Sequence, residues 1–112
     1  MNALMEPVTF PTYLKDYTGA NCELAKSTSR KIKYIHFIKN PSETVQEVLE
    51  RPDAVYRSNH KEDHHLYYKK ISGTNFYHVV VVDTTQKRVD TAYKADRIKK
   101  GDLIWTNSSN TV

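Results

Sequence analysis

The chain has 112 residues, of which 38% are hydrophobic and 27% charged, and this balance predicts one small domain with one modest core. The formal net charge of +4 favours an anionic partner, nucleic acid first among them. A single cysteine, Cys22, excludes an intramolecular disulfide framework, and no apolar run approaches the roughly 20 residues that span a bilayer. We therefore expect a cytoplasmic protein with no membrane segment.

The first 28 residues are weakly patterned, and we predict an N-terminal extension of uncertain structure over 1–28. Pro7 and Pro11 flank a short apolar run, which is typical of an extended edge segment and not of a central strand. Cys22 has no activating partner nearby in sequence, so we interpret it as structural.

Residues 22–39 fit two structures. Ile32, Tyr34 and His36 alternate as a strand would, whereas Tyr34, Phe37 and Ile38 fit helical spacing. Residues 27–29 offer N-cap side chains ahead of a basic run, which favours a helix. The residues alone leave helix and strand open.

The next segment indicates a helix over residues 41–50. Asn40 is an N-cap residue type, Pro41 suits the first helical position and Glu43 completes a capping-box pattern. Pro52 disfavours further helix. An apolar stripe then follows at i, i+3 and i+4 spacing, made of Val45, Val48 and Leu49.

Four runs rich in β-branched and aromatic residues come next, separated by short polar turns. They cover residues 54–58, 66–71, 76–82 and 88–93. Connections this short favour antiparallel neighbours. The predicted fold class is α+β, with N-terminal helices packed on a four-stranded antiparallel sheet.

The end of the chain is predicted to close this domain. Residues 94–101 suit a helical turn that ends at Gly101, and residues 103–105 are expected to pack back onto the sheet. We place the main domain over 29–105 and a flexible tail over 106–112.

Strand alternation places polar side chains together on one face of the predicted sheet. Arg57 would share a face with Val55, Tyr67 with Lys69, and Thr91 and Tyr93 with Val89. Arg and Lys suit phosphate oxygens, and Tyr suits stacking on bases. The same residue types are also common on a solvated sheet face, and the residues alone favour that interpretation.

Histidines supply two further hypotheses. His36 precedes the predicted 41–50 helix, where an imidazole would act as a general acid or base, or else pack locally. His60, Asp63, His64 and His65 are metal-ligand types, but adjacent histidines on a strand face opposite sides. A solvated hairpin loop is the favoured interpretation of 60–65.

The order of several short motifs resembles small phage- and bacterial-associated nucleases of the barnase–EndoU–colicin–RelE (BECR) fold group. These motifs are His36, Asn40-Pro41, Leu49-x-x-Pro-Asp-x-Val, Arg57-Ser58, Leu66-Tyr67-Tyr68, residues 79–82, Thr91-Ala92-Tyr93, residues 98–101 and Trp105. The resemblance covers about residues 29–105. It implies a RelE- or barnase-like domain and favours helix over 29–39.

The resemblance also implies a small, toxin-type or phage-linked endoribonuclease that needs no metal or cofactor. In this chemistry the ribose 2′-hydroxyl attacks the phosphodiester, with acid–base assistance and cationic stabilisation. The implied partners are RNA and a cognate inhibitor or antitoxin protein. The implied catalytic residues are His36, Arg57, Lys69 and Tyr93, and the implied substrate-binding residues are Ser58, Tyr67, Tyr68 and Thr91.

The sequence departs from the group at two places. Asp83 ends the third strand where the group tends to have Lys, and Asn40 precedes Pro41 where the group has a His-Pro pattern. A carboxylate at Asp83 weakens a positive groove. The alternative is therefore a non-catalytic module that binds RNA or a protein on the same fold.

Overall fold

The structure of the chain, a computed structural model, describes residues 9–99 and 101–107. In this part of the chain there are seven strands and two helices. The elements are β1 (Thr12–Lys15), β2 (Asn21–Leu24), α1 (Lys26–Tyr34), α2 (Pro41–Glu50), β3 (Ala54–Arg57), β4 (His64–Lys70), β5 (Tyr77–Asp83), β6 (Arg88–Ala95) and β7 (Leu103–Thr106).

All seven strands form one sheet with the order β1-β2-β6-β5-β4-β3-β7. Neighbours are antiparallel except β2 and β6, which meet in parallel where Glu23 faces Arg88. The predicted fold class, helices on a four-stranded antiparallel sheet, is therefore wrong. The four predicted strands occur as β3 to β6, but three further strands extend this meander on both sides and make the sheet mixed.

α2 forms where the sequence predicts it and covers one face of the sheet. Pro41 occupies the first turn, although the Asn40 side chain makes no capping hydrogen bond. The apolar stripe of α2 is fully buried and packs on a row of side chains that crosses four strands. The row runs Val55, Tyr67, Val80 and Ala92 by strand register. We call this side of the sheet the helix face.

α1 begins at Lys26 and ends at Tyr34. The observed helix therefore lies closer to the N-terminus than the helix predicted over 29–39. It lies beside β6, where the Lys31 ammonium donates a hydrogen bond to the Asp90 carbonyl at 3.1 Å. β2 pairs with β6 only near residue 88, which leaves the remaining edge of β6 for α1 to cover. The buried Ile32 side chain of α1 belongs to the same core cluster as Val89 and Ala92 of β6.

The opposite side of the sheet, which we call the second face, is also largely covered. Its row runs Ala54, Tyr68, Val79 and Tyr93 by strand register. The chain leaving β6 crosses this face, and the Lys99 amide donates a hydrogen bond to the Tyr68 hydroxyl at 3.2 Å. β6 continues to Ala95, and the described residues between β6 and β7 contain no helix, so the predicted helical turn over 94–101 is wrong.

A bulge in β6 determines which side chains share a face. The register between β5 and β6 shifts between Val81 and Val82, which makes Asp90 an extra residue on β6. Val89 and Ala92 consequently both face the helices. The predicted alternation of β6 does not hold beyond this bulge.

β7 returns the chain to the sheet beside β3, with Trp105 opposite Val55. Ile104 and Trp105 pack against the core, whereas Leu103 is 55% exposed. Of the predicted flexible tail, Thr106 belongs to β7, and residues 108–112 lie outside the described residues. Among the helices of the described residues, none has the length and apolar character needed to cross a membrane.

Candidate nucleic-acid interface

The four residues predicted to be catalytic do not meet in one groove. His36 lies near Tyr93, with 6.2 Å between the ring centroids. Arg57, at the end of β3, forms an exposed ion pair with Asp102 at 3.3 Å. Lys69 is on β4, where its ammonium donates a hydrogen bond to the Arg51 carbonyl at 2.9 Å. The structure therefore brings together only His36 and Tyr93.

The four residues predicted to bind substrate hold a turn or lie on one of the two covered faces of the sheet. The Ser58 hydroxyl accepts hydrogen bonds from the backbone amides of His60 and Lys61 and so holds the β3–β4 turn. Tyr67 is buried on the helix face and Tyr68 on the second face. Thr91 lies on the second face, and its hydroxyl is buried without a hydrogen-bond partner among the described residues.

The histidine-rich turn contains one buried member. His64 is only 7% exposed, and its Nδ1 lies 2.9 Å from an Asp63 carboxylate oxygen. Its Nε2 lies 3.7 Å from Asp90 across β5, and the hydrogen bond from His64 lowers the pKa of Asp63. Across residues 9–99 and 101–107, no three His, Cys, Asp or Glu side chains are grouped so that they could hold a metal ion.

A different surface combines the features that an anionic partner requires. An open cleft of about 610 Å³ lies between the end of α1, the start of α2 and the ends of β5 and β6. We call it the basic cleft. Its lining residues are Lys33, Tyr34, Phe37, Ile38, Lys39, Asn40, Thr44, Ile71, His78 and Lys94.

Two aromatic rings of the basic cleft are unusually exposed. Tyr34 is 66% and Phe37 77% exposed, although burying such rings is among the main sources of folding free energy. Phe37 also has a left-handed backbone, with φ of 57°, just after the end of α1. Glycine usually occupies such a position, because a side chain there costs about 1–2 kcal/mol. An exposed ring on a strained backbone is therefore a candidate for function.

Positive charge is concentrated in the same segment. Residues 25–40 contain five Lys or Arg residues and no Asp or Glu, so this segment carries a formal charge of +5 while the whole chain carries +4. Lys94 of β6 adds a further exposed ammonium to the basic cleft. Residues 87–100, which include Lys94, contain six Lys or Arg residues and two Asp residues, so both chain segments that reach the basic cleft are rich in positive charge.

His78 forms part of the floor of the basic cleft. Burial lowers its pKa, and the nearby Lys94 charge lowers it further, while Glu47 on α2 opposes these effects. The imidazole is therefore neutral at pH 7, and the three lysines that line the basic cleft supply its charge. A neutral imidazole between cations suits hydrogen bonding to a base or sugar.

Periodicity and N-cap residue types over 22–39 predict secondary structure, and they do not identify the exposed residues of the basic cleft. Tyr34 and Phe37 fit helical spacing, which predicts burial, and yet both are exposed. The signal that identifies them is the acid-free basic segment interleaved with aromatic residues.

No family model, no curated protein and no solved structure matches the chain. A fold alone does not determine function, so the geometry and charge of the basic cleft carry the functional inference.

Proposed function

We propose that the chain binds single-stranded RNA in the basic cleft. The observation that carries this proposal is that two rings exposed by 66% and 77% lie in an acid-free segment with a formal charge of +5. Aromatic rings stack on unpaired bases, and lysines contact the phosphates that connect those bases. Duplexes keep their bases stacked inside, so we expect single strands to be preferred.

The spacing of the groups supports this proposal. Tyr34 and Phe37 are separated by a tight turn, and Lys33 and Lys39 flank them in sequence. Lys94, at the end of β6, also lines the basic cleft. A strand lying in the basic cleft would therefore meet two rings and three ammonium groups, with no carboxylate among the described lining residues.

The proposal is tested by measuring the salt dependence of binding to a labelled, unstructured RNA oligonucleotide. For single strands the logarithm of the association constant falls with the logarithm of salt concentration by about 0.7 per neutralised phosphate. Replacing Lys33, Lys39 and Lys94 by Ala should flatten this slope by about 2 and weaken binding at low salt. Fluorescence anisotropy measures both quantities.

A matched control removes three exposed lysines elsewhere, at Lys15, Lys61 and Lys70. This control changes the net charge by the same amount and should leave most of the salt dependence of binding unchanged. Equal losses in both triple variants would mean that net charge alone binds RNA, which contradicts a defined site. Equal affinity for poly-glutamate at the same salt would instead indicate an acidic protein partner.

A second candidate function is RNA cleavage without a metal ion, which the BECR resemblance implies. The observation that favours it is the approach of His36 and Tyr93 to 6.2 Å, each adjacent in sequence to a lining residue of the basic cleft. His36 would exchange the proton of the 2′-hydroxyl, and Lys94 would stabilise the transition-state charge. Arg57 and Lys69 have no part in this version, because they lie elsewhere.

Cleavage is tested by incubating RNA with the purified chain in EDTA, free of any inhibitor or antitoxin protein. An enzyme of this type would leave 2′,3′-cyclic phosphate ends, and His36→Ala should slow cleavage by about 10²- to 10⁴-fold. His60→Ala, at an exposed histidine of the β3–β4 turn, serves as the control. If RNA stays intact over a range of pH, cleavage is excluded, and RNA binding alone remains the proposed function.

A further inference from the structure

A second, smaller cavity lies at the other end of the sheet from the basic cleft. It has a volume of about 210 Å³ and lies between the β1–β2 turn, strand β4 and the β5–β6 turn. Its lining residues include Tyr17, Cys22, His65, Tyr67 and Lys87. The basic cleft contacts β5 and β6 at His78 and Lys94, so the two sites share no lining residue.

The wall formed by the β1–β2 turn is well ordered by its own hydrogen bonds. One carboxylate oxygen of Asp16 accepts from the Thr18 amide, the Thr18 hydroxyl and the Ala20 amide. The turn places Tyr17 over the helix face, with its ring centroid 4.9 Å from Trp105 and 5.8 Å from Tyr67. Aromatic rings therefore form one side of the cavity.

Tyr67 brings a hydroxyl group to this cavity. Its side chain lines the cavity and is only 4% exposed. Among the described residues none forms a hydrogen bond with its hydroxyl, and burial, followed by the Asp16 charge, raises the pKa of this group. Because Tyr67 lines the cavity, its hydroxyl can exchange a hydrogen bond with a bound molecule.

Two other titratable side chains of the cavity, His65 and Cys22, are also neutral at pH 7. Burial, assisted by the Arg57 charge, lowers the pKa of His65. Burial, with smaller effects from Asp16 and Glu23, raises the pKa of the Cys22 thiol to about 12. The only charges on the lining are Asp16, which is engaged in the turn, and Lys87, which is exposed. This balance favours an uncharged ligand.

Lys87 supplies an independent observation at the cavity. Its backbone is left-handed, with φ of 54°, in the β5–β6 turn, where glycine is the usual residue. Its carbonyl accepts a hydrogen bond from the Glu23 amide at 2.9 Å, which ties this turn to β2 beside the cavity. A strained non-glycine residue at the rim of a cavity is a feature typical of binding sites.

We propose that this cavity binds a neutral heteroaromatic ring of nucleobase size. Its volume lies below the roughly 300–1,000 Å³ of sites for drug-sized ligands, which restricts it to one ring system. Such a ring packs against Tyr17 and exchanges hydrogen bonds with the Tyr67 hydroxyl and the neutral His65. The proposal stands whether or not RNA binds in the basic cleft, because free bases test it directly.

The experiment titrates the full chain with free adenine, cytosine and uracil, each as a separate probe, and follows binding by ligand-observed NMR and calorimetry. We expect at least one base to bind with a Kd of about 1 mM or tighter. Tyr67→Phe removes only the hydroxyl and should weaken binding about 5- to 10-fold. Tyr68→Phe is the matched control, because it removes a neighbouring buried hydroxyl on the second face.

Amide shifts in the wild-type chain supply a second measurement in case Tyr67→Phe fails to fold. Bound base should shift the amides of residues 16–22 and 84–87, and leave those of residues 33–39 in place. No binding by any base, equal loss in both tyrosine variants, or equal binding of the anion benzoate would each overturn the proposal.

Discussion

Replacing Phe37 by Gly is expected to weaken single-stranded RNA binding by about 10-fold and, at the same time, to stabilise the fold by up to about 1 kcal/mol. The two effects have opposite signs because the ring would stack on RNA in the proposed complex, whereas its left-handed backbone, with φ of 57°, disfavours a side chain. The side chain is 77% exposed, so its loss removes little packing. Denaturant unfolding and anisotropy measure the two effects.

Combining Phe37→Gly with Tyr34→Ala should weaken binding by about 100-fold, because each ring contributes roughly one stacked base. Tyr13→Gly is the control, since Tyr13 is 65% exposed but lies in the regular strand β1, which contributes no lining residue to the basic cleft. That control should leave binding unchanged and reduce stability slightly. A Phe37→Gly chain that keeps full affinity would exclude this ring from the RNA site.

The largest expected effect on stability comes from Leu49→Ala. Leu49 is 0% exposed and lies in the stripe with which α2 packs on the helix face. Truncation removes buried methyl groups and leaves a cavity, which should lower the free energy of unfolding by about 2–5 kcal/mol. Urea denaturation followed by circular dichroism measures the change.

The adjacent residue provides the control for this prediction. Glu50→Ala changes an exposed side chain of the same helix, so it should alter stability by less than about 0.5 kcal/mol. A similar small effect of Leu49→Ala would mean that α2 does not pack on the sheet as described. Because the basic cleft includes the first turn of α2, RNA affinity should also fall where the variant begins to unfold.

Local signals in the sequence identify α2 and the strands β3 to β6, because each combines a periodic pattern with turn residues at its ends. β1, β2 and β7 have only four residues each, and unlike the equally short β3 they do not belong to the series of strand-like runs joined by short polar turns. Their place in the sheet depends on tertiary contacts, such as the packing of Tyr17 on Trp105. The fold class was wrong for this reason.

The candidate site was harder to predict, because faces and exposure depend on register. Tyr67 faces the helices through the regular β4–β5 register, whereas the bulge at Asp90 separates Thr91 from Val89 and places Thr91 on the second face. Sequence pattern also places Phe37 on a helix face, whereas α1 ends at Tyr34 and the next turn leaves the Phe37 ring in solvent. Charge, in contrast, is visible in the sequence and marks the same segment.

The most direct measurement of RNA binding is an NMR titration of the isotope-labelled chain with an unstructured RNA oligonucleotide. We expect saturable shifts at residues 33–40 and at Ile71, His78 and Lys94, which line the basic cleft. These shifts should disappear in the Phe37→Gly, Tyr34→Ala chain. Saturable shifts confined to other surfaces, or no shifts at low salt, would contradict RNA binding in the basic cleft.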